Sequence, residues 1–230
     1  MRKRLLIISM LLLAGAAAQA QVGTSETDTE LWLKAGAEFK VGEKWEFGVE
    51  EQLRFDEQIG AVKNYHTELE IKYSLTDQLD LRVVPRYIRR NDNQGSAQGY
   101  EDLFRYQVGV GYKHRWNQLE FKHRALFQNR NELGVSEEEG DIPRHFFRWR
   151  TGLEYKIKNW KYDPIFRTEY FKSLNGAKAG TDDAIRFSIG TDRNYDGVGK
   201  FGIFYMYETT IDAIDTEIAH IISLRYTYSF

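Results

Sequence analysis

From Leu31 to Phe230, apolar and polar residues alternate in eleven separate stretches, most of them ended by a cluster rich in Gly, Asn or Asp. A period of two marks a β-strand whose two faces meet different surroundings, and no stretch of useful length after Gln21 has helical periodicity. The first stretch sets Leu31, Leu33, Ala35, Ala37 and Phe39 against Trp32, Lys34, Gly36 and Glu38. The second sets Trp45, Phe47, Val49, Leu53 and Phe55 against Glu46, Gly48, Glu50, Gln52 and Arg54, with Glu51 alone out of phase. Later stretches repeat the rule, as in Phe104, Tyr106, Val108, Val110 and Tyr112 opposite Arg105, Gln107, Gly109, Gly111 and Lys113. The eighth is less regular, with Trp160, Tyr162, Phe166 and Tyr170 opposite Asp163, Arg167 and Glu169.

The polar face is too charged for an ordinary protein core, and the apolar face too aromatic for an ordinary surface. With 14 Tyr and 14 Phe beside a mean hydropathy of −0.57, the average conceals two opposite faces. A closed antiparallel barrel with its apolar face in lipid and its polar face in the lumen accounts for both. The connections favour the same reading. They are short at 41–44, 76–78, 115–118 and 158–159, and longer at 56–63, 90–99, 129–142, 172–182 and 210–216. Trp45, Tyr73, Tyr112, Trp116, Tyr155 and Trp160 lie beside the short turns, and Phe55, Tyr65, Tyr87, Phe127, Phe147, Tyr170 and Tyr207 beside the long ones. Two aromatic belts are the mark of two membrane interfaces. The expected fold is an all-β, up-and-down transmembrane barrel of 10–12 strands. Twelve is the preferred number: bacterial single-chain barrels are ordinarily even, and residues 21–30 would supply the missing crossing.

The chain opens with Arg2, Lys3 and Arg4, an apolar run from Leu5 to Ala14, and Ala18-Gln19-Ala20. That is the layout of a secretory signal peptide over 1–20, cleaved after Ala20, with an apolar core too short to span a bilayer. It leaves 21–230 as a single barrel domain, located in the outer membrane. The absence of cysteine excludes disulfides and thiolate chemistry. Formal charge is −2 for the whole chain and −5 for 21–230, which argues against nucleic acid as a partner. At the other end, Tyr226, Tyr228 and Phe230 alternate and the last residue is aromatic, matching the signal by which barrel assembly machinery would accept an edge strand.

Glu50, Arg54, Glu68, Arg86, Arg105, Arg124, Arg148, Arg150, Glu154, Arg167 and Glu169 all fall on the polar faces and would meet across the lumen. Charges confined there must be paired or hydrated, so a charge-filled interior with a structural or surface-binding role is the main reading. A narrow pore selecting small polar solutes is the alternative. A lipid hydrolase would need a histidine base near a nucleophile. His66, His114, His123, His145 and His220 lie on separate stretches, so no catalytic residues are assigned. Asp192, Asn194 and Asp196 begin like a calcium loop, but the twelfth position is Ile203, so a hairpin turn at Asp196-Gly197 is the better reading. The acidic run Glu137-Glu138-Glu139-Gly140-Asp141 suits a solvated loop that would touch lipopolysaccharide through bridging cations. The chain calls for no cofactor and is expected to be a monomer among outer-membrane lipid.

One further feature is the order of short motifs: Glu50-Glu51-Gln52-Leu53-Arg54-Phe55, His123-Arg124, Phe147-Arg148-Trp149-Arg150, Arg167-Thr168-Glu169-Tyr170-Phe171 and the closing Tyr226-x-Tyr228-x-Phe230. In this order they resemble the DUF2490 family. The resemblance implies a small secreted or outer-membrane β-barrel of unassigned function, and it supplies no catalytic residues.

Overall fold

The computed structural model describes residues 25–92, 99–141, 143–175, 183–211 and 216–230. The signal peptide assigned to 1–20, its cleavage point and residues 21–24 lie outside them. Eleven strands follow one another: β1 Ser25–Val41, β2 Trp45–Asp56, β3 Ala61–Ser74, β4 Leu79–Asp92, β5 Gly99–Trp116, β6 Leu119–Glu132, β7 Arg144–Tyr155, β8 Ile165–Ser173, β9 Ala184–Tyr195, β10 Gly199–Thr210 and β11 Thr216–Ser229. Each pairs antiparallel with the next, and β1 closes on β11. Closure leaves no exposed strand edge, which is the condition for a sheet to exist in lipid.

The number is eleven, not twelve, and the seam explains why. Residues 25–30 do not make a separate crossing; they extend β1 to 17 residues. With an odd number of strands, the first and last must run the same way, and β1 pairs with β11 in parallel from Ser25↔Thr216 to Glu38↔Ser229. The barrel is therefore mixed rather than wholly antiparallel. Parallel ladders are slightly weaker per residue, and the long register offsets this.

Connections at one end of the barrel span 42–44, 75–78, 117–118, 156–164 and 196–198; those at the other span 57–60, 93–98, 133–143, 174–183 and 211–215. These are called here the short-turn and long-loop ends. Two members depart from the sequence reading. The turn after β2 is only four residues because Glu57, Gln58 and Ile59 all adopt positive φ (51°, 58° and 68°). The Asp28 carboxylate holds that strained turn by accepting from the backbone N–H of Glu57 (3.1 Å) and Gln58 (2.8 Å). Conversely, the connection before β8 is nine residues. Pro164 has no N–H for the ladder, so Trp160 and Tyr162 precede the strand and fold back in a knot, with Trp160 Nε1 donating to the Tyr162 carbonyl at 2.7 Å.

At the long-loop end, Asp183 fastens the β8–β9 connection. Its carboxylate accepts from the Ser173 N–H (2.8 Å), Lys172 Nζ (2.6 Å) and Tyr170 Oη (3.2 Å). Burial works to raise its pKa, but these donors outweigh burial and hold it below the ordinary value.

Candidate functional site: the lumen

Strand alternation sends the apolar residues outward. Val49, Leu69, Val83, Val108, Val110, Ile189, Ile203, Tyr205 and Leu224 are all exposed on the outer surface, each more than a third accessible. Trp45, Tyr112, Trp116, Tyr155 and Trp160 form an exposed belt at the short-turn end, where the Trp45 and Tyr73 rings also touch at 4.7 Å. Tyr65, Tyr87, Phe127 and Phe147 form a second belt toward the long loops. Gln52, Asn64, His66, Arg86, Gln107, Gln128, Glu154 and Glu169 face inward and are buried.

All eleven charged residues singled out in the sequence line one internal cavity of about 1300 Å³. Its lining carries twenty Lys and Arg against twelve Asp and Glu, in a chain whose overall charge is −2. The pairing is uneven. Glu68 takes Arg86 and, at 3.4 Å, Arg105. Glu169 takes Arg148 at 2.7 Å and Arg186 at 3.5 Å, and Glu50 takes Arg225 at 3.4 Å and Lys34 at 3.5 Å. Glu154 is shared by Lys122 and Lys156. Arg54 instead donates to Gln52 at 3.1 Å and lies 3.5 Å from the centre of the Trp32 ring.

Toward the long-loop end these groups interlock across the bore. Trp32 of β1 has Arg54 over its ring and Arg186 of β9 at 5.0 Å. Arg186 is also 4.9 Å from the Phe171 ring of β8, on which Arg148 of β7 sits at 4.7 Å. Arg148 then donates to Gln128 (3.0 Å), which also accepts from Gln107 (2.7 Å). β1 and β9 are not neighbours in the sheet, so the Trp32–Arg186 contact spans lumen rather than ladder. Alternating guanidinium and aromatic planes bury charge with less desolvation than bare ions would need. His66 completes this layer, packed between Gln52 and Arg86.

Toward the short turns the inward positions shrink. Gly36, Gly48, Gly109, Gly111, Gly152, Gly190 and Gly202 all lie on inward-facing registers. Two of them are demanded by contact: a Cβ at Gly109 would sit 2.0 Å from the Ala125 carbonyl oxygen, and one at Gly190 2.3 Å from the Phe204 ring. Arg167 lies over that same Phe204 ring at 4.3 Å. Here the cavity is an open vestibule edged by Lys113, Arg115, Lys161, Asp163, Asp196 and Lys200.

Of the histidines, only His66 points inward. His114 and His123 stack on the outer face with centroids 5.6 Å apart, beside Phe121 and Trp149. His145 contacts Asn129, and His220 meets Tyr205 Oη at 2.7 Å. None of them has a serine or carboxylate among these hydrogen-bond partners. Asp192 and Asn194 lie in β9, and Asp196 starts a turn closed by Val198 N–H on the Tyr195 carbonyl with Gly197 at φ 72°. Among the described residues no group of three acidic, histidine or cysteine side chains is placed to hold a metal ion. The acidic run is folded on itself: Glu137–Glu139 form a 3₁₀ turn capped by Ser136, and Asp141 accepts from the Glu132 N–H at 3.0 Å. At the C-terminus, Tyr226 Oη donates to the Val198 carbonyl at 2.7 Å, Tyr228 and Phe230 meet edge to face, and Phe230 is 83% exposed.

Sequence reading sorted the faces but missed the division of the lumen into two halves. The signal was present in the inward residue sizes, large at Trp32, Phe171 and Gln128 and absent at the glycines. It becomes readable only once the registers are known.

The model of the family described as "protein of unknown function (DUF2490)" matches residues 29–217, and the chain belongs to that family. No curated protein and no solved structure matches it.

Proposed function

We propose that this DUF2490 member is an exported, non-enzymatic outer-membrane barrel whose lumen is blind, plugged beneath the long loops and open as a charged vestibule at the short-turn end. The observation that carries the membrane reading is the outer surface. Exposed Val, Ile, Leu and aromatic residues cover every strand, an arrangement water would penalise at about 25 cal/mol per Å² and lipid would not. A soluble ligand-carrying barrel would have the two faces exchanged. Short turns lie on the periplasmic side of outer-membrane barrels, so the vestibule faces the periplasm and Phe230 emerges there, within reach of assembly machinery. The monomeric barrel meets lipid and lipopolysaccharide on its outside and needs no cofactor.

The test is single-channel recording of the refolded barrel in a planar bilayer, after confirming detergent-extractable fractionation with outer membrane and heat-modifiable gel mobility. A folded barrel that stays silent is expected. Reproducible conductance steps from the unmodified protein would replace the blind lumen with a narrow pore. Fractionation with soluble periplasmic protein would remove the membrane reading itself.

A further inference from the structure

Within the vestibule the register sets Arg124 of β6 directly opposite Arg150 of β7. Like charges on facing positions destabilise a sheet unless something neutralises them, and the carboxylates beside this pair, Glu70 and Glu169, are held by other arginines. Glu70 is committed to Arg82 and comes no nearer to Arg124 than 3.8 Å. Glu169, opposite Arg150 on the other side, bonds Arg148 and Arg186. Neither Arg150 nor Arg167 has a carboxylate within 4 Å among the described residues, and the Arg167 guanidinium lies over the Phe204 ring. Gly152, beside Arg150 in β7 and opposite Arg167 in β8, leaves the space between them open, with the Arg167 Cγ lying 3.6 Å from where a Cβ would be. Nearer the mouth, Lys113 and Lys122 form a second facing pair of like charge. Cationic side chains thus line the way from the mouth, where Glu120 and Glu154 pair with Lys122, to Arg150 and Arg167.

We propose that Arg124, Arg150 and Arg167 form a binding site for a phosphate group, entering from the short-turn side. The inference rests on the open vestibule of the preceding reading and names its ligand chemistry. Guanidinium forks match phosphate oxygens in pairs, and a ligand with two or more negative charges relieves the Arg124–Arg150 repulsion that Glu70 and Glu169, both held by closer arginines, offset only in part. The cavity of about 1300 Å³ admits a phosphorylated small molecule and not only a bare ion.

The experiment measures binding to the full barrel in a zwitterionic, phosphate-free detergent by calorimetry, independent of any conductance. Its probes are sodium pyrophosphate and, separately, a short-chain phosphatidylglycerol. Saturable binding of pyrophosphate, weakened at least tenfold in Arg150→Gln and Arg124→Gln and unchanged in the control Arg89→Gln, which lies outside the cavity beside Asp102 and the Tyr100 ring, supports the site with free phosphate as its ligand. The same loss pattern for the lipid alone assigns the phosphate to a headgroup. A second readout separates the site from a structural role. In phosphate-free buffer Arg150→Gln raises the urea midpoint, because one member of a facing pair of like charges has gone, and it abolishes the upward shift that pyrophosphate gives the parent protein. No binding by the parent protein to either probe, or binding untouched by both substitutions, overturns the proposal while leaving the blind barrel standing. Arg167→Gln provides a third variant should either of the facing pair fail to refold.

Discussion

The two halves of the lumen are built on the same strands, with the same alternation and many of the same residue types, yet one is largely filled by side chains that meet across the bore, though Phe146 and Glu208 there still border the cavity, and the other is hollow. Toward the long loops, Trp32, Phe171, Arg148 and Arg186 meet across the bore, and Gln52 and His66 are 2% exposed. Toward the short turns, glycines occupy the corresponding inward registers and Lys122 and Lys156 reach water. Charge does not distinguish the halves; side-chain volume and pairing do. A buried charge needs a partner at close range, and the filled half provides one for Arg148, Arg186 and Arg86. The hollow half leaves Arg150 and Arg167 without a carboxylate within 4 Å among the described residues, and both line the open cavity.

Trp32→Ala attacks the contrast most directly. It removes the ring shared by Arg54 and Arg186, with an expected loss of about 3–5 kcal/mol in urea unfolding and the appearance of conductance in a barrel otherwise silent. A variant that stayed silent at full stability would show that Trp32 does not close the bore. Glutamate replacements compare the halves in kind. Glu169→Gln leaves Arg148 without its buried carboxylate, while Arg186 keeps Glu208, and should cost about 3–5 kcal/mol. Glu154→Gln, whose partners Lys122 and Lys156 are 56% and 43% exposed, should cost less than about 1 kcal/mol. Equal costs would erase the distinction.

Between these lies a glycine pair. Gly109→Ala forces a Cβ against the Ala125 carbonyl and the Leu126 side chain, with about 1–3 kcal/mol expected for overpacking. Gly48→Ala meets nothing nearer than 3.8 Å and should be tolerated, with unchanged mobility on an unheated gel.

The smallest effect is one of pH at the filled end. Asp183 has its pKa depressed in the folded barrel by its Lys172, Ser173 and Tyr170 donors. A depressed carboxylate stabilises fully above its unfolded pKa, near about 3.9, and that contribution fades as pH falls through the lower folded value. Asp183→Asn should therefore lower protection of the Ser173 amide from hydrogen exchange at neutral pH and make no difference at the acid end. A difference that persists in acid would mean the substitution acts through something other than charge.

How much was legible in advance differs by element. The inward set from Glu50 to Glu169 could be assigned by parity alone, since a strand inverts its faces with each residue. The strand number could not, because parity along a chain says nothing about whether residues 25–30 begin a new strand or lengthen an old one. The boundary of β8 was misplaced for a related reason. Trp160 and Tyr162 keep the alternating pattern although Pro164 keeps them out of the ladder. The turn at 57–60 was read as long because Glu57, Gln58 and Ile59 are poor candidates for left-handed backbone; Asp28, 29 residues earlier, makes that conformation affordable.

What the sequence determined by itself is local and periodic: that the described residues are mostly strand, which face of each strand is charged, where the aromatic belts fall, and that the family is DUF2490. These follow from repulsion between apolar and polar surroundings acting one residue at a time. The tertiary structure alone decided the parallel seam between β1 and β11, the contacts of Trp32 and Phe171 with Arg186 across the bore, and the facing of Arg124 with Arg150. Each depends on register between segments distant in the chain, and a closed barrel fixes all its registers together, because a shift in any one strand must be carried around to the seam.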